Sequence, residues 1–369
     1  MKRILADKLL SALLALYLVL CLLDHSLPSN SLALLEPRIY VSLVALLAAS
    51  RALDLSGAVS RLAVSMLVKR QGRLDASTIL LLVVGSGLIS MIITNDAALF
   101  VFIPLVASFE RILRLNLAWL YVLIALSVNV TSMMSPIGNP QNLYLWQYYG
   151  LSIHQFVLTL LPYTILSITL LLSYTLLMYS RLLAHRSNSS LDILPPPIKT
   201  EWKLALASLL SISALFVASH YGLQYLAFVL TIALISSADP RALKSLDLGL
   251  LAIFGLFFID FGEISKLLAP YIRVPDSAVG LIALAVGLSQ VISNVPATIM
   301  LAHLVQPKKW WALALGTNIG GTLLLTGSLV NLIVTRLSRL KANTYHKYAV
   351  PYSLALLLTL LCTTYLKTH

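Results

Sequence analysis

Residues 135–142 read SPIGNPQN: two prolines, a glycine and two asparagines inside a long apolar stretch. A helix that crosses a bilayer cannot carry both prolines unbroken, because each one removes a backbone donor and clashes with the preceding turn. Lipid offers no partners for the freed backbone groups, so broken backbone at membrane depth persists only inside protein or beside a polar cavity. Transporters hold substrates and ions at such breaks. The octet therefore predicts a broken membrane helix next to a polar cavity.

The spacing around this octet recurs in the second half of the chain. Two triplets each have an asparagine, a glycine nine residues later and an asparagine four residues further on: Asn129, Gly138 and Asn142, then Asn318, Gly327 and Asn331. A serine also precedes an asparagine by five residues upstream of each triplet, at Ser90 and Asn95 and at Ser289 and Asn294. These matched spacings predict an inverted repeat. Residues 1–182 would form the first copy, 183–201 a linker and 202–369 the second copy.

The composition excludes an ordinary soluble domain. Of the 369 residues, 59% are hydrophobic and 11% are charged, and the mean hydropathy is +0.90. The net charge of +12 does not indicate a nucleic-acid partner, because the basic residues lie between the apolar runs, where the positive-inside rule places them. The expected partner is a lipid bilayer.

Nine apolar runs are suited to crossing a membrane about 30 Å thick: residues 9–23, 40–55, 117–134, 156–179, 204–219, 223–237, 248–260, 311–334 and 348–365. Two further stretches, 77–106 and 278–304, have polar centres and predict re-entrant hairpins. Broken helices are expected over 117–148 and 311–334. The predicted fold is an all-α polytopic membrane protein with an inverted repeat, about nine spanning helices, two re-entrant hairpins and two broken helices.

The distribution of basic residues predicts the orientation. With the N-terminus inside the cell, most of the 26 lysines and arginines fall in loops that stay inside. Five crossings then separate the two hairpins, so that the hairpins open to opposite sides, as an inverted repeat requires. The basic, apolar N-terminus lacks a small-residue cleavage site and is expected to remain as the first helix. We therefore expect an integral plasma-membrane protein with a cytoplasmic N-terminus.

Each predicted break is followed by a residue that suits the start of a helix. Asn139 can accept hydrogen bonds from free amides and Pro140 suits the first helical position, and Ser328 takes the place of Asn139 in the second half. Asn95 and Asn294 open the returning segments of the hairpins. Four half-helix N-termini are thus expected to meet near the midplane, where they suit an anion or a neutral oxyacid. The carbonyl groups of the unwound segments would instead suit a cation such as Na⁺.

The candidate residues for binding substrate and ions come from both tips and both breaks: Thr94, Asn95, Asp96, Ser135, Gly138, Asn139, Gln141, Asn142, Ser293, Asn294, Thr298, Asn318, Gly327, Ser328 and Asn331. The alternative for the whole set is structural capping without substrate contact. Asp96 is the candidate for proton or cation coupling, because a carboxylate at membrane depth is a functional hypothesis by default. Its rival role is an ionised cap on the returning helix. Asp260 and Glu263 follow an apolar run and are expected at a helix end.

Glycines in the second half and at the breaks have two expected roles. Gly316, Gly320 and Gly321 predict close helix packing. Gly138 and Gly327 predict backbone freedom at the breaks. No catalytic residue, metal site or cofactor is predicted, apart from H⁺ or Na⁺ as a coupling ion.

Four motifs resemble those of the ion transporter superfamily: TNDAALFVFIP at 94–104, SPIGNPQN at 135–142, SNVPAT at 293–298 and GTNIGGTLLLTGSLVN at 316–331. They are most similar to the branch of arsenite permeases and NhaD-type sodium–proton antiporters, which is related to citrate and divalent-anion transporters. The resemblance implies a scaffold domain, a transport domain that moves like an elevator, and a homodimer. Dicarboxylate transporters of the superfamily carry Ser-Asn-Thr at both tips. This chain has Asp96 and Val295 at the third positions, which argues against a sodium–dicarboxylate function.

The sequence therefore predicts a secondary active transporter for a small anion or an arsenite-like oxyacid, coupled to H⁺ or Na⁺. The alternative is a cation–proton antiporter in which Asp96 exchanges H⁺ for Na⁺, and a channel is a third class. An ATPase partner, as in some arsenite pumps, is left open. An enzyme is not expected, because the chain contains no HExxH zinc helix and no GxSxG serine elbow.

Overall fold

The computed structural model describes residues 2–68, 74–183 and 199–368. Within these ranges the chain forms α-helices and short 3₁₀ turns, and no β-strand. The prediction of an all-α polytopic membrane protein is confirmed. Most of the predicted linker at 183–201 lies outside the described residues, as do the basic residues at 69–73.

The described residues of the first half form nine helices: α1 (Lys2–Leu23), α2 (Leu27–Leu34), α3 (Pro37–Leu55), α4 (Ala58–Val68), α5 (Ala76–Ser90), α6 (Asn95–Leu113), α7 (Ala118–Thr131), α8 (Pro140–Tyr148) and α9 (Ile153–Leu182). Those described in the second half form nine more: α10 (Trp202–His220), α11 (Gln224–Ala238), α12 (Pro240–Lys244), α13 (Leu248–Leu268), α14 (Ala278–Ile292), α15 (Asn294–Ala302), α16 (Trp310–Leu323), α17 (Leu329–Ser338) and α18 (Ala342–Thr368).

Among the described helices, four are long and apolar enough to cross a membrane alone: α9, α10, α13 and α18. Helices α2 and α3 meet at an angle of 56° and would make a fifth span together. Most other apolar helices are shorter, since breaks and tight turns divide the apolar sequence into pieces below the usual spanning length. The expected number of about nine spans stays a prediction.

Helices are interrupted where the sequence predicts the hairpins and the breaks. A short turn separates α5 from α6, and Ser293 alone separates α14 from α15. Residues 132–139 separate α7 from α8, and residues 324–328 separate α16 from α17. Whether the hairpins turn inside the membrane stays a prediction.

The two halves pack in the same order. Helix α5 contacts α6 and α7, and α7 contacts α9; likewise α14 contacts α15 and α16, and α16 contacts α18. Across the halves, α6 packs on α17 and α15 packs on α8. The hairpin of each half therefore lies against the broken helix of the other. This order fits an inverted repeat, although the inversion itself stays a prediction.

Helices α7 and α16 form the centre of the protein. Every residue of α7 is buried, and α16 is buried along nearly its whole length. A helix that is apolar on all sides packs this way because it has no polar face to turn outward. The first break, residues 132–139, is buried almost throughout, whereas the second, residues 324–328, is partly accessible at 324–326.

A second, smaller hydrophobic cluster lies apart from this centre. It joins α3, α10, α11 and α12 through Ala48, Ala52, Leu204, Ile235 and Ala242. Helix α3 belongs to both groups, because it also contacts α6 and α8. It therefore connects this peripheral group to the central one.

The acidic residues of α13 lie inside the helix rather than at its end, so the expectation of a helix end was wrong. The helix continues past Asp260 to Leu268, and both Asp260 and Glu263 are fully buried. Helix α1 packs along α13 and covers much of it. At the end of this contact, Lys266 Nζ lies 2.7 Å from Asp24 Oδ2, and this ammonium holds the pKa of the Asp24 carboxyl well below its ordinary value.

The glycines of α16 support the packing interpretation. A Cβ on Gly316 would lie 2.7 Å from the Cβ of Ala285, and one on Gly320 would lie 2.5 Å from the Cβ of Ser289. Real Cβ atoms do not approach so closely, so α14 and α16 can meet only because both positions lack a side chain.

We predict that Gly320→Ala lowers the free energy of unfolding by about 1–3 kcal/mol, because the added methyl group overpacks the contact with α14. Gly287→Ala is the matched control, because a Cβ there meets nothing within 4 Å. The control should stabilise its helix by up to about 1 kcal/mol, the difference in helix propensity. Denaturant titration in detergent micelles measures both, and equal responses of the two variants would contradict the packing role.

Candidate functional site

A small cavity lies where four helices begin. It is lined by residues at the starts of α6, α8, α15 and α17: Thr94, Asn95, Asp96, Asn139, Pro140, Gln141, Asn294, Val295, Ser328, Leu329 and Val330. Leu47 of α3 and Phe254 of α13 complete the wall. The volume is about 30 Å³, room for one or two water molecules or a small ion. An organic acid therefore requires the cavity to widen.

Two of the four helices begin with the N-caps that the sequence predicts. Asn139 Oδ1 accepts a hydrogen bond from the amide of Asn142 at 2.9 Å, and Ser328 Oγ accepts from the amide of Val330 at 3.3 Å. The residues before α6 and α15, Thr94 and Ser293, make no side-chain cap. The first turns of those two helices therefore keep more of their amides available.

Several backbone amides at the cavity have no partner. In the described part of the chain, six lining residues have backbone N–H groups without a hydrogen-bond acceptor: Asn139, Gln141, Asn294, Val295, Ser328 and Leu329. Each helix start also carries a partial positive charge of about half a unit. Free amides and positive helix ends together form an environment that favours an anion or the oxygens of an oxyacid.

An asparagine network behind the cavity joins the two broken helices. Asn318 Nδ2 donates to Asn142 Oδ1 at 2.8 Å, and Asn129 Nδ2 donates to Asn331 Oδ1 at 3.3 Å. Each bond runs from the first segment of one broken helix to the second segment of the other. Asn139 Nδ2 adds a third link across the halves, to Asn318 Oδ1 at 3.0 Å.

The second asparagine of each triplet also satisfies its own break. Asn142 Nδ2 donates to three carbonyl oxygens of the first unwound segment, those of Ser132, Met133 and Ser135, at 2.9, 3.0 and 3.1 Å. Asn331 Nδ2 donates to the carbonyl oxygens of Gly321 and Leu324, at 2.8 and 2.9 Å. These five carbonyls at the breaks are thus paired inside the protein.

Hydroxyl groups tie each break to the neighbouring hairpin tip. Ser135 Oγ donates to the carbonyl oxygen of Met91 at 2.7 Å, and Thr326 Oγ1 donates to that of Gln290 at 2.8 Å. In the first half only, the amide of Asn95 also donates to the carbonyl oxygen of Gly138, at 3.2 Å. In each half the hairpin tip is therefore hydrogen-bonded to the break. Among the described residues, the first half has one additional backbone hydrogen bond between them.

The predicted binding residues fall into two groups. Those that line the cavity are Thr94, Asn95, Asp96, Asn139, Gln141, Asn294 and Ser328. Those that lie outside its lining are Ser135, Gly138, Asn142, Ser293, Thr298, Asn318, Gly327 and Asn331. The asparagines of the second group are occupied by the network described above. Direct contact of either group with a substrate stays a prediction.

Three residues of the network were missed as site residues. Asn129 was used only to define the triplet spacing, and Ser132 accepts from Asn139 Nδ2 at 3.2 Å. Gln290 spans the second break, since its side chain donates to the carbonyl oxygen of Gly320 at 2.8 Å and accepts from the amide of Leu324 at 3.1 Å. The triplet spacing could have identified Asn129. Nothing comparable marks Gln290, whose counterpart in the first half is Met91.

The glycines of the breaks serve close approach rather than left-handed backbone. Neither Gly138 nor Gly327 has a positive φ. A Cβ on Gly138 would lie 2.7 Å from the Cβ of Ser132, and one on Gly327 would overlap the carbonyl oxygen of Gly320. The expected backbone freedom is therefore not what requires glycine at either position.

The tip of the second hairpin is strained, unlike the first. Ser293 has φ 72° and ψ 158°, a region that only glycine adopts readily, whereas Thr94 is extended with φ −63° and ψ 152°. Such a conformation costs about 1–3 kcal/mol and persists only where the surrounding structure enforces it. Ser293 adjoins Asn294 and Val295, two of the residues with free amides.

Comparison with known proteins identifies the family to which the sequence is similar. A profile of the citrate transporter family matches residues 3–309, which include both hairpins and the first broken helix. The chain is also similar to the inner membrane protein YbiR of Escherichia coli, with 31% identity over 333 residues, 88% of this chain and 86% of that protein. The uncharacterized transporter MJ0456 of Methanocaldococcus jannaschii is 32% identical over 254 residues, 68% of each chain.

We predict that the bond between Asn142 and Asn318 couples the two halves. Each single change to Ala should lower the free energy of unfolding by about 1–3 kcal/mol, because buried polar groups lose their partners. The double variant should fall short of the sum by about 0.5–3 kcal/mol, the range for residues in contact. Denaturant titration of wild type, both single variants and the double variant in detergent gives a double-mutant cycle. Asn30→Ala is the control, because Asn30 is exposed. Additive effects would show that the halves are not coupled through this bond.

Replacing the strained residue provides a second test. Ser293→Gly should raise the apparent melting temperature, because glycine tolerates the observed backbone angles. Thr94→Gly should lower it, since there glycine adds only unfolded-state entropy, worth about 0.5–1 kcal/mol. Opposite shifts in thermal unfolding are expected, and a loss of stability in both variants would argue against strain at Ser293.

Proposed function

The chain belongs to the citrate transporter family, and from that membership and the geometry of the cavity we propose a secondary active transporter that moves a small anion or an arsenite-like oxyacid, coupled to H⁺ or Na⁺. The observation that carries the proposal is the meeting of four helix starts, with free amides, at one buried cavity. Transporters with broken helices bind anionic groups in this way.

The coupling ion is assigned to the first half of the cavity. Asp96 lines the cavity in the first turn of α6 and is partly accessible. Asn95 is buried, and its side-chain oxygen Oδ1 has no hydrogen-bond partner. A carboxylate and an amide oxygen side by side suit a small cation, and the carboxylate also suits a proton.

Two groups of helices with separate roles support a moving transport unit. The asparagine network ties both broken helices to each other, so that they would shift as one body. The group of α3, α10, α11 and α12 has its own hydrophobic cluster and would form part of a scaffold. We further propose that the protein acts as a homodimer in the plasma membrane, with its N-terminus in the cytoplasm.

A cation–proton antiporter is the second candidate. The size of the cavity favours it, because about 30 Å³ accepts an ion without rearrangement but not an organic acid. In this case Asp96 would exchange H⁺ for Na⁺, and the free amides would serve only to hold water.

Thermal unfolding of the purified protein with single ligands tests the proposal. A ligand that binds only the folded state stabilises it by about 2.7 kcal/mol at a hundredfold excess over its Kd. The panel is citrate, phosphate, sulfate and arsenite, each with Na⁺ or with choline. We expect one anion to raise the melting temperature, and Na⁺ or low pH to increase its effect. Stabilisation by Na⁺ or Li⁺ alone would favour the antiporter, and no response, with no flux in liposomes, would contradict both.

We predict that Asp96→Asn removes the dependence of transport on Na⁺ or pH while the protein stays folded. The substitution preserves the shape of the side chain and removes the charge that would hold the coupling ion. Asp276→Asn is the control, because the Asp276 side chain is fully exposed. Flux in liposomes should keep its cation dependence in the control and lose it in Asp96→Asn. Unchanged dependence in Asp96→Asn would remove this residue from the coupling step.

A further inference from the structure

We propose that the anionic group of the substrate binds only in the second half of the cavity, at the starts of α15 and α17, and that Val295 determines this preference. The inference rests on the proposed function and divides its binding site. Sequence symmetry alone would give both halves an equal share of the substrate.

The charges of the two halves differ at one matched position. Asp96 is the second residue of α6 and Val295 is the second residue of α15, and both line the cavity. A helix start carries about half a positive charge. Asp96 places a carboxylate beside the starts of α6 and α8, whereas the starts of α15 and α17 together keep about one full positive charge. No acidic residue from the second half lines the cavity.

The second half of the cavity also has more unpaired backbone N–H groups than the first. In the described part of the chain, the second half offers the free amides of Asn294, Val295, Ser328 and Leu329, and the first half offers those of Asn139 and Gln141. The amide of Asn95, which corresponds to that of Asn294, is already bonded to the carbonyl oxygen of Gly138 at 3.2 Å. A bound oxyanion therefore finds four unpaired backbone donors in the second half and two in the first.

A buried side chain provides an independent indication. Asn294 is only 2% exposed and lines the cavity, yet its side-chain amide makes no hydrogen bond within the described residues. This side-chain amide is therefore available to pair with a ligand or with water in the cavity. The strained Ser293 precedes it directly. Strain and unpaired donors thus coincide at the second tip, as expected where a ligand completes the structure.

The first half provides the complementary contrast. Its unpaired buried group at the tip is an acceptor, Asn95 Oδ1, beside the carboxylate of Asp96. An anion placed at this tip would lie next to acceptor oxygens. The cavity therefore favours an anionic group in its second half.

The test moves a carboxylate into the second half. Citrate and phosphate binding to the purified protein is measured by calorimetry for wild type, Val295→Asp and Val295→Asn. Val295→Asn has the shape of the aspartate without its charge. We expect Val295→Asp to weaken anion binding by about tenfold or more, because an added negative charge faces the ligand a few ångströms away, and Val295→Asn to weaken it less than about threefold.

Two safeguards keep the result interpretable. If Val295→Asp fails to fold, Asn294→Asp places the same charge one residue earlier without a change of shape, and the same tenfold loss is expected. The assignment would be overturned if both aspartate variants bound the anion as tightly as wild type does. It would also be overturned if Val295→Asn weakened binding as much as Val295→Asp. In either case the proposed function would stand. Wild type that binds no anion, with no anion flux in liposomes, would overturn the anion transporter and the assignment together.

Discussion

Backbone that leaves helical geometry inside a membrane protein must find hydrogen-bond partners within the protein, and this requirement organises the whole structure. The two breaks free several carbonyl groups, and Asn142 and Asn331 each take up those of their own segment. Their remaining oxygens are held by Asn318 and Asn129 from the opposite half. The broken helices are therefore stable only as a pair. Burial of α7 and α16, and the helix starts at the cavity, follow from that pairing.

Symmetry of the backbone coexists with different chemistry at the two tips. Both halves repeat the order hairpin, broken helix and closing helix, and both tie a tip carbonyl to a hydroxyl of the break. Yet one tip presents Asp96 and a bonded amide, whereas the other presents Val295, free amides and a strained serine. A duplicated scaffold supplies the positions, and single residues within it determine which ion each position suits.

Much of this arrangement could be predicted from the sequence, because local rules govern it. Prolines and glycines located the breaks, and the capping preferences of Asn139 and Ser328 located the helix starts. The pairings between halves could not be predicted, since no local pattern states which asparagine meets which. Gln290 was invisible for the same reason: its partners lie about thirty residues away along the chain. Asp260 is buried in α13, which packs against α1 from the far end of the sequence, a contact that no local pattern indicates.

The separation of the paired asparagines along the chain bears on how the protein is made. Asn129 and Asn331 are 202 positions apart, and Asn142 and Asn318 are 176 apart. At about 5–20 residues per second, a ribosome needs roughly 10–40 s to add the second partner after the first. During that interval Asn129, Asn139 and Asn142 lack the hydrogen-bond partners that the second half supplies. During synthesis the first half therefore exists for a time without the hydrogen bonds that join it to the second half.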